Sequence, residues 1–124
     1  MGTIVKMTCK GCSHAWEGHI GQGMQHGRLE NVLKLYPEDV WQRVKAMTAN
    51  ERFPMYDFKM QVGCCHNCKK MVAVPYLTLK EHGEFVGLCP DCGNAVQIAA
   101  TEYEALCPVC GQCDWDLQEI GRWD

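Results

Sequence analysis

No stretch of the chain approaches the roughly 18 to 20 consecutive apolar residues that cross a membrane. The opening segment, Met1 to Thr8, has no apolar run followed by a small-residue cleavage site. The expectation is therefore no membrane association, no secretory leader and a reducing cytoplasmic setting. No low-complexity tract and no linker rich in Pro, Gly and Ser interrupts the 124 residues, so one compact domain, 1–124, is expected. Basic residues are scarce: 12 Lys and Arg stand against 15 Asp and Glu, a formal charge of −3, with no basic stripe. Such a chain is a poor grip for phosphate backbones, which disfavours nucleic acid as a partner. The glycines at 18, 21, 23 and 27 match neither the phosphate-loop nor the dinucleotide spacing. No catalytic motif is present, so no catalytic residue is assigned.

Cysteine, by contrast, is abundant. Ten of 124 residues are Cys, far more than packing requires, so they staple something. Eight fall into four pairs with a two-residue gap: Cys9/Cys12, Cys65/Cys68, Cys89/Cys92 and Cys107/Cys110. Disulfide frameworks rarely repeat one short gap four times, and a reducing compartment disfavours them. Two cysteines at this spacing reach one ion from a single tight turn, and a tetrahedral ion needs four donors, so eight thiols are the ligand set of two closed metal sites. Eight thiolates and two divalent ions shift the formal charge from −3 to about −7. Lys6, Lys10, Lys69 and Lys70 lie beside the knuckles and offset it locally.

Each knuckle turn aims backbone N–H groups at its sulfurs, and a glycine after the second cysteine eases the left-handed residue this requires. Gly93 and Gly111 supply it in the last two knuckles; Ser13 and Lys69 stand there in the first two. Two thiols are left over. Cys64 can compete with Cys65 in its knuckle, and Cys113 makes a further two-residue gap with Cys110; both read as spare or buried thiols, with metal exchange or oxidation as the alternative.

Around the knuckles, Ile4 to Met7 reads as a strand delivering Cys9. The stretch 18–27, with four glycines in ten residues, reads as an irregular loop. With His14, His19 and His26 in or before it, it is either a solvated connector or a locus for metal or acid–base chemistry. Residues 29–35 suit a helix or a strand equally. Pro37, Glu38 and Asp39 open a helix of about 37–49, with Val40, Trp41, Val44, Ala46 and Met47 as its buried stripe. Tyr56, Phe58, Met60 and Val62 alternate with polar residues as a half-buried strand. Strands at 71–74 and 76–79 flank Pro75, Lys80 to Gly83 is a turn, and 84–88, 95–98, 103–106 and 115–120 connect the later knuckles to the chain end. The fold class expected is a small metal-bound α+β protein, mostly β.

The knuckles resemble those of zinc ribbons, small β-hairpin modules in which two knuckles clamp one zinc. The 20 residues between Cys68 and Cys89 are a ribbon-like spacing. The resemblance implies an inner ribbon over 62–100, an outer site from 1–17 and 103–124, and an inserted helix and strand at 28–62. The nested pairing is preferred because 81–83 has turn chemistry that 99–101 lacks; sequential pairing, first with second and third with fourth, uses the same eight ligands. The first and last knuckles, with Trp16 and Trp115 nearby, also resemble those of rubredoxins, which carry iron.

The resemblance implies two zinc ions and a cytoplasmic, bacterial-type structural and interaction protein: a protein-binding adaptor with no catalysis of its own. Trp123 near the C-terminus is a candidate contact. The alternatives are iron-based electron transfer, or a metal-handling protein or enzyme using the Gly/His loop 14–27.

Overall fold

A computed structural model describes residues 2–99 and 104–123. The fold is small, α+β and mostly β. Two antiparallel sheets carry it. The first has the order β2-β1-β7, from β1 (Gly2–Cys9), β2 (Ala15–Ile20) and β7 (Trp115–Trp123). The second has the order β5-β4-β3-β6, from β3 (Tyr56–Cys65), β4 (Lys70–Leu79), β5 (Gly83–Val86) and the short β6 (Gln97–Ile98). Gly21 and Met60 exchange both backbone hydrogen bonds, at 2.8 and 2.6 Å, and stitch the end of β2 to β3.

A 3-10 turn at Met24–Gly27 and two helices, α1 (Leu29–Leu33) and α2 (Glu38–Met47), fill the interval between the sheets. The ambiguous 29–35 stretch thus opens as a helix, burying Val32 and Leu33. Helix α2 is shorter than 37–49, with Pro37 as its N-cap. Its buried stripe is also narrower than expected: Val44 is buried, Val40 and Trp41 are half-buried, and Ala46 and Met47 are exposed. The helix rests on the sheet through one turn, so its far end faces water.

Period-2 geometry sorts β3 and β4 into two faces. On one face, Phe58, Leu77 and Leu79, with Phe85, pack beneath Val32, Leu33, Tyr36 and Val44. Further along that face, Val62, Cys64 and Met71 pack against Val5, Met7 and Ile20 of the other sheet. Full burial of each such aliphatic side chain contributes about 1.5–3 kcal/mol. The opposite face holds Cys65, Val72 and Val74 under the Cys89 knuckle.

Two expectations are corrected here. The stretch 18–27 is not wholly a loop, because Gly18, His19 and Ile20 form the end of β2, opposite Val5, Ile4 and Thr3. Gly18 is tolerated in the strand because the Trp16 indole occupies the space of its missing Cβ: an added Cβ would lie 2.1 Å from the ring. The second correction is Pro75, which does not divide two strands but sits inside β4, opposite Met60. Its carbonyl accepts from Gly87 N–H, so its missing N–H would face the β5 side just past Val86, where β5 pairing ends. No bond to β3 is lost. Tyr103, at the start of the segment expected to enter the fourth knuckle, lies outside the described residues.

Candidate metal centres

All four knuckles adopt one backbone shape. In three of them the first cysteine's N–H donates to the carbonyl five residues on: Cys9 to His14, Cys89 to Asn94 and Cys107 to Gln112, at 2.7 to 2.9 Å. The N–H four residues on returns to the first cysteine's carbonyl, from Ser13, Gly93 and Gly111. The remaining knuckle places the same offset, Cys65 opposite Lys70, at the head of the β3–β4 ladder. The residue after the second cysteine is left-handed in every case: Ser13 (φ 65°), Lys69 (φ 54°), Gly93 (φ 73°) and Gly111 (φ 77°). The shape therefore comes from turning two sulfurs to one side; glycine only lowers its cost.

The sheets bring the knuckles together in nested pairs. Cys9 at the end of β1 lies opposite Trp115 at the start of β7, which sets Cys9 and Cys12 against Cys107 and Cys110. The β3–β4 hairpin presents Cys65 and Cys68 to Cys89 and Cys92. Within each group the four Sγ atoms lie within 4.8 Å of one another, and each group can hold a metal ion. The shortest separations across the outer group are 3.5 Å, for Cys9 to Cys110 and Cys12 to Cys107. Across the inner group they are 3.5 Å, Cys65 to Cys92, and 4.0 Å, Cys68 to Cys89. A tetrahedron of thiolates with bonds of about 2.3 Å has edges of about 3.8 Å, so the sulfurs have the spacing of a four-coordinate site. They are far beyond the ~2.05 Å of a disulfide, and all ten cysteines are free.

The two centres differ in shelter. In both, the first cysteine of each knuckle is buried; the second is half-buried in the inner centre (Cys68, Cys92) and exposed in the outer one (Cys12, Cys110). Polar ties cross each centre. Lys70 pairs with Asp91 between the inner knuckles. In the outer centre, Lys10 N–H donates to the Asp114 carbonyl at 2.9 Å, and the two side chains pair loosely at 3.9 Å.

The sulfurs are electrostatically split. Burial raises Cys9, but the N–H groups of Cys12 and Gly11 outweigh it and bring that thiol down to about 7. The Asn94 N–H leads in drawing Cys92 down to about 6. Contact with Cys92, followed by burial, pushes Cys68 up to about 12. Four thiols at van der Waals contact cannot all ionise by themselves. A central cation converts their mutual repulsion into attraction and takes all four as thiolates.

The spare thiols stand apart from both groups. Cys64 is buried among Val5, Met7 and Met71, and burial, then the neighbouring Cys65 and Cys107, push its thiol up. Adjacent strand residues face opposite sides of a sheet, so Cys64 cannot replace Cys65 without reversing β3. Cys113 is exposed.

The histidines of 14–27 join no ligand group: among the described residues the groups of three or more potential ligands are the two cysteine clusters, and His19 and His26 instead pack on the Trp123 ring, with centroids 5.6 and 5.7 Å from it. His14 lends its carbonyl to the first knuckle. His19 is exposed and lies stacked on that indole. His26 is buried, and its Nδ1 accepts from Gly23 N–H at 3.0 Å. Trp123, expected as an exposed contact, is half-buried: its indole N–H donates to the Ile20 carbonyl at 3.0 Å and its ring covers Gly2. Sequence reasoning missed a groove between the α1–α2 turn and the β4–β5 edge. Four separate stretches of the chain build it, and only the last touches a motif, at Pro90 of the third knuckle.

No family model, no curated protein and no solved structure matches the chain. The geometry stands by itself: two groups of four cysteines at knuckle spacing, able to bind metal and consistent with zinc-ribbon-like sites. No helix among the described residues is long and apolar enough to cross a membrane.

Proposed function

We propose that this chain is a zinc-carrying interaction module: two zinc ions hold its fold, and its surface engages a protein partner, with no catalysis of its own. The observation that carries the reading is that each group presents four sulfurs to one point, a closed donor set with no position for substrate. Tetrahedral thiolate sites suit zinc or iron. Zinc fits a scaffold role because it has no redox chemistry, and each structural zinc contributes an apparent free energy on the order of 10 kcal/mol to a small fold. A protein partner fits the acidic surface better than nucleic acid does.

Elemental analysis together with an absorption spectrum tests the metal assignment. The expected result is a colourless protein with about two zinc ions per chain, unfolding when they are withdrawn. Iron with strong visible thiolate-to-metal bands would replace the reading with electron transfer. Retention on heparin at physiological salt would replace the protein partner with nucleic acid.

A further inference from the structure

Strand β4 is ten residues long, but β5 covers only Tyr76 to Leu79 of its outer edge. At Gly87 the chain donates one last hydrogen bond, to the Pro75 carbonyl at 2.8 Å, and turns away toward the Cys89 knuckle. Ladder parity fixes what is left bare. In β3, the Met60 N–H and C=O face away from β4, toward Gly21, so the residues opposite its even-numbered positions face the outer edge of β4. Met71, Ala73 and Pro75 are those residues. The N–H and C=O of Ala73, a half-buried residue, therefore point outward beyond the reach of β5.

This bare edge forms one side of a groove of about 610 Å³. One wall is the α1–α2 turn and the first turn of α2, with Leu35, Pro37 and Val40; the other is Val86, Leu88 and Pro90. Leu35, Val86 and Leu88 are 46%, 38% and 54% exposed, three aliphatic side chains turned to water around one cleft. Two carboxylates, Asp39 and Glu84, also line it, and neither belongs to an ion pair among the described residues. The single cation there, Arg43, lies over the Phe85 ring at 5.4 Å.

We infer that this groove takes an extended segment of a partner protein, added as a strand beside β4 in line with β5. The segment pairs its backbone with Ala73, places alternate aliphatic side chains against Leu35 and Val40 or Leu88 and Pro90, and brings a lysine or arginine to Asp39 and Glu84. Main-chain pairing supplies attachment and the flanking apolar walls supply selectivity. The basic residue follows from two carboxylates without a cationic partner among the described residues, of which Glu84 accepts a hydrogen bond from the Tyr76 hydroxyl, and from the acidic chain as a whole. This inference rests on the protein-binding reading above and gives it a site.

The probe is a phage-displayed library of random decapeptides panned against the zinc-loaded protein, with selected peptides resynthesised for titration. The expected selection alternates aliphatic residues with at least one lysine or arginine. Binding should fall at least tenfold in Ala73→Pro, which removes the outward N–H on the edge where Pro75 is already tolerated, and at least tenfold in Leu88→Arg, an exposed position. The Ala73 amide should exchange quickly with deuterium in the free protein and at least tenfold more slowly in the complex. Peptides indifferent to both substitutions would overturn the groove and leave the protein-binding reading standing. A concentration-dependent dimer abolished by Ala73→Pro would give the edge to a second copy and overturn the partner segment. No selected peptide, together with heparin retention, would overturn both.

Discussion

The four knuckles share a left-handed residue, filled by glycine in two and by Ser13 and Lys69 in the others. That difference is a built-in experiment. A Cβ placed on Gly93 or Gly111 would meet nothing within 4 Å, so an alanine there costs only its backbone conformation, about 1–2 kcal/mol. Stiffening the unfolded chain returns about 0.4–1 kcal/mol, leaving a net loss of about 1 kcal/mol for Gly93→Ala and Gly111→Ala. The reverse changes, Ser13→Gly and Lys69→Gly, should stabilise by a similar amount, since both side chains are exposed. One kcal/mol is about a fivefold change in an equilibrium constant. Urea unfolding at one fixed free-zinc concentration reads the stability, and chelator competition reads zinc retention; the fixed concentration matters because bound metal shifts apparent stability by mass action. A neutral Gly93→Ala, or a destabilising Ser13→Gly, would refute the claim that glycine lowers the cost of the left-handed residue all four knuckles share.

Three further outcomes follow from the same geometry. Because Cys12 and Cys110 are exposed and Cys68 and Cys92 are not, excess chelator should strip zinc in two phases, the outer ion first. Cys12→Ser should remove the fast phase and Cys68→Ser the slow one, and a single phase would contradict the ordering. Burial lowers the His26 pKa below its ordinary 6.5, so the unfolded chain takes up that proton more readily than the folded one. His26 therefore contributes its full stability above pH 6.5 and loses it as pH falls from there toward its folded pKa; at saturating zinc, stability between pH 7 and 5 should fall more steeply in the wild type than in His26→Gln. A Cβ on Gly63 would lie 2.5 Å from Val96 Cγ1 and 2.9 Å from the Gln97 carbonyl, so Gly63→Ala should cost on the order of 2 kcal/mol by displacing β6. Gly27→Ala meets nothing within 4 Å and should change the melting temperature little.

What was legible in the sequence was what local geometry dictates. Four two-residue gaps announced four turns. The hairpin placed at 81–83, where Glu81 and Gly83 do turn left-handed (φ 69° and 105°), favoured the nested grouping of Cys9, Cys12, Cys107 and Cys110 around the inner four without excluding the sequential one, and the structure brings the nested groups together. Gly18 misled because glycine is a breaker only while its neighbours are unknown: Trp16, two residues back on the same strand face, fills its place. Pro75 misled in the opposite direction and is the more instructive case. Read as an interruption between two strands, it lies within one, and it can do so only where its missing N–H has no ladder partner. A proline amid Val72, Val74, Tyr76 and Leu77 therefore reports a stretch of strand whose outer side has no ladder partner for an N–H, and β4, although flanked by β5 from Tyr76 to Leu79, is bare of it there. Here β5 stops at Val86, opposite Tyr76, and the apolar groove begins beside Ala73. The residue that obscured the strand thus marks where the covering strand ends, and the same tolerance makes Ala73→Pro a clean test of whether a partner continues it.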